Sequence, residues 1–242
     1  MNDYELKAYD EIMVWKRKMR KPSNLLNRMS KKVQAKINGY IPEKVMNAIT
    51  VAIKNMVQAC LNGSQWITKK DQAAGLSLEE KDQLLTQKLS NYRKTAVVEG
   101  AGTGAGGILL GLADFPLLLS IKMKFLFDAA SVYGFDTKDY AERVFILQVF
   151  KLAFSSDEVR DETLAVIEHW ETRKQEFLDL DWEEFQQEYR DYLDFAKMLQ
   201  LMPGIGAAVG AVVNYNLLDR LGETAKNCYR LRLLSASPKW LD

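Results

Sequence analysis

Histidine is almost missing from this chain. His169 is the only one in 242 residues, and with Cys60 and Cys228 as the only cysteines there is no conventional zinc set and no disulfide framework to read. A Ser-His-acid or Cys-His arrangement would have to use His169, which sits in Val166-Ile167-Glu168-His169-Trp170 without a GxSxG elbow or a favourable thiol. A structural place in mid-helix is therefore expected for it, and neither metal nor cofactor is expected. Five prolines and no low-complexity linker argue for one folded unit over residues 1–242. The net charge of +1 removes any bulk reason to expect a nucleic-acid partner. The start, Met-Asn-Asp-Tyr-Glu-Leu-Lys, lacks the bases and apolar run of a signal peptide, so a cytoplasmic protein in a reducing compartment is expected. Period-two alternation is missing outside Ala96 to Val98, and no GxxxxGK[ST] loop occurs.

What is present is a series of helix starts and stops. Leu6, Tyr9, Ile12, Met13 and Lys16 recur at helical spacing from about Asp3 to Met19, with Trp15 nearby, until Pro22 stops the run. Ser23 opens a second helix ending near Gly39. Pro42 opens a third with Val45, Ile49, Ala52, Ile53 and Met56 as its buried stripe, up to Asn62-Gly63. Ser77-x-x-Glu80, Ser155-x-x-Glu158 and Asp181-x-x-Glu184 read as capping boxes. Asp114 reads as an N-cap with Pro116 in the first turn and Gly134 just past the end. Asp136 begins another helix with Val144, Leu147 and Phe150, Pro203 starts a small-residue helix that Gly222 ends, and a last one runs from about Glu223 to Leu234. The fold class is all-α, a single multi-helix domain.

The densest local signal is Glu99 to Pro116. Six glycines lie between Gly100 and Gly111, and each costs a helix interior roughly 1 kcal/mol against Ala. As a helix, Gly100, Gly104, Gly107 and Gly111 would share one smooth face. A second such face, with Gly206, Gly210 and Asn214, follows Pro203, and the two are expected to pack closely at the centre of the fold. The rival is phosphate binding: Gly102-x-Gly104-x-x-Gly107 fits a dinucleotide fingerprint with Asp128 about twenty residues on, but no βαβ context surrounds it.

Polar residues at this stretch are the functional candidates. Glu99, with Thr103 one turn on, must be paired or protonated if buried, and Asn214 is a natural partner on the second glycine helix. Asp114 lies at the far end, about 21 Å away along a helix, too far for a paired acid-base site with Glu99. Charge is uneven. From Ile12 to Pro42 there are nine bases and no acid, and from Asp157 to Asp194 fourteen acids against four bases. The amphipathic region 1–40, with Trp15, Lys16, Arg17, Lys18, Arg20 and Lys21, is a candidate surface for an anionic membrane or a partner. Met198 to Leu218 is twenty-one residues without a charge, but Gln200, Asn214, Asn216 and Pro203 weaken a spanning reading.

The chain resembles the EcsC family at Glu99-Gly100-x-x-Thr103-Gly104 with Asp114-x-Pro116, at Tyr133-Gly134, at Ser156-Asp157-Glu158, at Pro203-Gly204-x-Gly206 with Asn214, and at Leu221-Gly222-Glu223-Thr224-Ala225. The resemblance covers nearly the whole chain. It implies an accessory protein encoded beside an ABC exporter built of separate ATPase and membrane subunits, and it carries no catalytic motif. Two readings of function stay open. One is a non-enzymatic accessory that contacts such a transporter at the cytoplasmic membrane face. The other is a hydrolase using Glu99 at the glycine face.

Overall fold

A computed structural model describes residues 1–21, 43–63, 66, 68, 73–103, 107–155, 157–178 and 207–235, with the side chains of 43–46, 96–103, 107–114, 157–158 and 207–216 outside the description. Among the described residues there are eight helices and no strand, as expected of an all-α domain. They are α1 (Asp3–Arg20), α2 (Glu43–Asn62), α3 (Leu78–Thr103), α4 (Gly107–Tyr133), α5 (Tyr140–Phe154), α6 (Asp157–Glu168), α7 (Trp170–Leu178) and α8 (Ala207–Ser235).

Local signals set many of the helix ends. Asn2 and Glu5 close a reciprocal capping box on α1. Ser77 and Glu80 do the same for α3, at 2.8 and 3.3 Å. Gly134, at φ +92°, ends α4: its N–H donates to the Ser131 carbonyl while Phe135 N–H donates back to Ala130, the two bonds of a Schellman motif. Asp139, not Asp136, caps α5, accepting from Ala141 N–H. His169 sits at the bend between α6 and α7, where its carbonyl accepts from Thr172 and Arg173 N–H.

The centre of the molecule is α5. Glu142 and every residue from Val144 to Phe154 are buried, so past its first turn this helix has no solvent face. It packs against α2, α4, α6, α7 and α8. Phe145 meets Trp170 and Tyr229 at ring-centroid distances of 5.2 and 5.3 Å, and Phe150 meets Phe154 at 4.6 Å. The expected packing of two glycine-rich faces falls on side chains outside the described residues. Gly100 lies in α3 and Gly107 and Gly111 in α4, so the glycines do not share one helix. Helices α3 and α4 pack against each other, with a bond from Tyr92 to Asp128. Gly104 and Gly206 lie outside the described residues.

Asp114 is likewise not an N-cap. Helix α4 starts seven residues earlier, at Gly107, and carries Pro116 in its interior. The expected stop at Gly222 is absent too, because α8 runs unbroken through it. A Cβ there would stand 2.5 Å from Leu89 Cδ2 of α3. Among the described residues the most extensive helix contact is α3 with α8, and at Gly222 it is close enough that a Cβ would force the Leu89 side chain to shift.

Gly222→Val is therefore expected to cost about 2 kcal/mol or more by overpacking. Denaturant unfolding of the double variant with Leu89→Ala should show a loss smaller than the sum of the two single losses; strict additivity would contradict the close approach.

Candidate functional site

One buried carboxylate gathers donors from three other helices. Asp82, on α3 and 2% exposed, accepts a hydrogen bond from Tyr4 of α1 at 2.8 Å, another from Tyr133 of α4, and one from Arg230 Nε of α8 at 2.7 Å, with Arg230 Nη2 in ion-pair contact at 2.6 Å. Arg230, itself buried, also donates to Glu11 of α1 at 2.7 Å and to the Tyr4 hydroxyl at 3.2 Å. Burial and the adjacent Asp82 carboxylate hold both phenols above their usual range, so Tyr4 and Tyr133 stay protonated donors. The hydrogen bond from Arg230 pulls the Glu11 carboxyl down. Burial works against the Arg230 charge, but Asp82 and Glu11 outweigh it and raise its pKa.

A second cluster adjoins the first through the stacked rings of Tyr133 and Tyr229, 5.4 Å apart. Glu142 of α5 accepts from Tyr229 at 2.9 Å and from Arg232 at 2.7 Å. Arg232 also reaches Glu171 of α7 at 3.1 Å and lies over the rings of Phe135 and Phe145 at 3.9 and 4.2 Å. Burial pushes the Glu142 carboxyl up to about 7, against the pull of Arg232. Lys122 of α4 is fully buried, donates to the Leu118 carbonyl at 3.4 Å, and is pushed down to about 7 by burial. Burial raises both thiols, so Cys60 and Cys228 are inert thiols rather than nucleophilic thiolates.

Both carboxylates are engaged by side chains of other helices: Asp82 accepts from two phenols and the Arg230 guanidinium, and Glu142 is flanked by a phenol and a guanidinium, although Arg232 Nε is left without a partner. Among the described residues no group of three or more His, Cys, Asp and Glu side chains is placed to hold a metal ion, and no helix is long and apolar enough to cross a membrane.

Two features face outward. On α1 the buried stripe is Ala8, Ile12, Trp15 and Met19, while Leu6, Tyr9 and Met13 are 45, 46 and 38% exposed along the opposite side. Trp15, expected at the surface, is 3% exposed because it falls on the face that α1 turns to α8 and α6. Lys16 and Arg20 both bind Glu168, at 2.8 and 2.9 Å, and Lys18 pairs with Glu223 at 3.3 Å. Arg17 folds back to donate to the Met13 carbonyl. The second feature is an open groove of about 410 Å³ lined by Trp66, Tyr92, Ser120, Ile121 and Lys124.

The family model described as the EcsC protein family matches residues 6–234. The chain belongs to the EcsC family. It is 51% identical to "Protein EcsC" of Bacillus subtilis (strain 168) over 234 residues, spanning 97% of this chain and 98% of that protein. It is also 26% identical to "Uncharacterized protein YdbA" of the same organism over 250 residues, spanning 93% of this chain and 88% of that one. No solved structure matches.

Of the residues that carry the EcsC resemblance, Tyr133 is a donor to Asp82, Gly134 turns the chain after α4, and Gly222 lets α8 approach α3. The side chains of Glu99, Thr103, Asp114 and Asn214 lie outside the described residues; their backbones place Glu99 and Thr103 in α3, Asp114 in α4 and Asn214 in α8. Sequence reasoning missed Asp82, Arg230, Glu142, Arg232 and Lys122. A signal existed for Lys122, which interrupts the apolar run from Leu117 to Phe127. None existed for Asp82, one acid among several in an ordinary polar helix.

Asp82→Asn should cost about 3–5 kcal/mol in denaturant unfolding, because it leaves Arg230 buried with its charge unmatched on that side. For Glu142 the folded pKa lies above the ordinary value of 4.5, so its contribution is complete below 4.5 and is lost as pH rises through about 7. The loss is at most about 3 kcal/mol, and Glu142→Gln should flatten the pH dependence of unfolding in that window. Lys122 has the opposite sign: stability falls as pH drops from 10.5 through about 7.

Proposed function

We propose that this chain is a non-catalytic accessory protein of an ABC-type exporter, seated on the anionic cytoplasmic face of the membrane through the outer side of α1. The observation that carries the membrane half is the exposed line of Leu6, Tyr9 and Met13, spaced three and four apart on one helix face. Arg17 continues that line one turn on, and the chain from Ile12 to Pro42 holds nine bases and no acid. An apolar stripe beside bases is the composition of a helix that lies in the interface plane. With Trp15 in the core and Lys16, Lys18 and Arg20 paired within the chain, the contact rests on the stripe, Arg17 and Lys21.

The transporter half rests on the family resemblance. The accessory role is favoured over a hydrolase by the way the described buried acids are used, since Asp82 and Glu142 are committed to structural partners. The test is co-sedimentation with phosphatidylglycerol vesicles at low salt, with phosphatidylcholine vesicles as the comparison. The native chain should partition onto the anionic vesicles, and Leu6→Glu with Met13→Glu should weaken that by about tenfold or more. Equal binding by the double variant would remove α1 as the contact.

A further inference from the structure

The groove beside Trp66 is separate from α1 and has a polarity of its own. Its volume of about 410 Å³ falls in the range of small-molecule sites. Behind the lining residues Tyr92 and Lys124 stands Asp128, which accepts from the Tyr92 hydroxyl at 2.7 Å and lies 3.3 Å from Lys124 and 3.7 Å from Lys88. Among the described residues, two ammonium groups against one carboxylate leave one net positive charge here. Asp128 is 7% exposed, whereas the Lys124 side chain is 39% exposed, so the cation is what an arriving ligand meets.

Along the groove the character changes. Ile121 lines it, and Leu117, one helical turn further toward the start of α4, is 49% exposed on the same face. The Lys124 and Leu117 positions are about 10 Å apart along the helix axis. Trp66 lies between, its Nε1 donating to Ser120 Oγ at 3.1 Å, so the Ser120 hydroxyl keeps its own hydrogen to donate. One net positive charge, a hydroxyl donor and an apolar track in line call for a ligand with one negative charge at the end of a hydrocarbon chain.

We propose that this groove binds a fatty-acid monomer, with its carboxylate at Lys124 and Ser120 and its chain along Ile121 toward Leu117. A headgroup with two negative charges would exceed the one net positive charge of the described groups, and a cationic amphiphile would meet the Lys124 ammonium, with Asp128 behind it already engaged. The ligand is held by charge and burial alone, and no bond is made or broken.

The experiment is a titration of the full chain with dodecanoate below its micellar concentration, followed by the indole N–H signals of nitrogen-15-labelled protein, with Trp66→Phe to assign Trp66. A saturable shift of the Trp66 signal is expected. Lys124→Glu, and the milder Lys124→Gln, should weaken the affinity by about tenfold or more. Dodecyltrimethylammonium, with the same chain and opposite charge, should bind more weakly by a similar factor, and acetate should leave the signal in place. Met13→Glu on α1 should leave dodecanoate binding unchanged, which separates this site from membrane seating. The proposal is overturned if dodecanoate leaves Trp66 unmoved, if both Lys124 variants bind it as the native chain does, or if the cationic amphiphile binds equally well.

Discussion

A carboxylate taken out of water must be answered by donors, and at Asp82 those donors come from three other helices. Tyr4 on α1, Tyr133 on α4 and Arg230 on α8 stand 78, 51 and 148 residues from it in sequence. Each bond is short only when its helix has one axial position relative to α3. The arrangement therefore sets the relative heights of four helices at once. Apolar burial cannot do this alone, because a greasy helix face slides with little change in energy, whereas an orphaned buried charge costs several kcal/mol.

Around that fixed point the rest of the molecule divides by role. Helix α5 supplies bulk, buried all round past its first turn, and its acid Glu142 draws Tyr229 and Arg232 inward. Helices α3 and α8 supply closeness through Gly222. With these tasks met inside, the sides of α1 and α4 that look outward are left to interact with other molecules. Leu6, Tyr9 and Met13 on α1 form a contiguous exposed apolar line, and Leu117 on α4 is exposed beside the groove.

Much of the helix layout was legible because its causes are local. The Ser77–Glu80 box, the Gly134 turn and the period of Ile49, Ile53 and Met56 depend on residues within a few positions of each other. The candidate site was far less legible. On α1 the helical period was visible, but two apolar stripes compete there, and which one is buried depends on the surfaces of α8 and α6. Asp114 and Gly222 were misread for a related reason. Both residue types often end helices, and the helices that continue through them do so because of their neighbours along the bundle.

By itself the sequence determined that this is an all-helical domain, where several of its helices begin and end, and, through its full-length match, that it is an EcsC family member. Those properties follow from spacing, capping chemistry and overall similarity, which need no partner far along the chain. Tertiary structure alone decided that Asp82 meets Arg230, that Trp15 turns inward while Leu6 and Met13 turn outward, and that α5 is the centre. Each of these depends on which surfaces are brought together by helices up to two hundred residues apart, and burial is a property of that assembly rather than of any single segment.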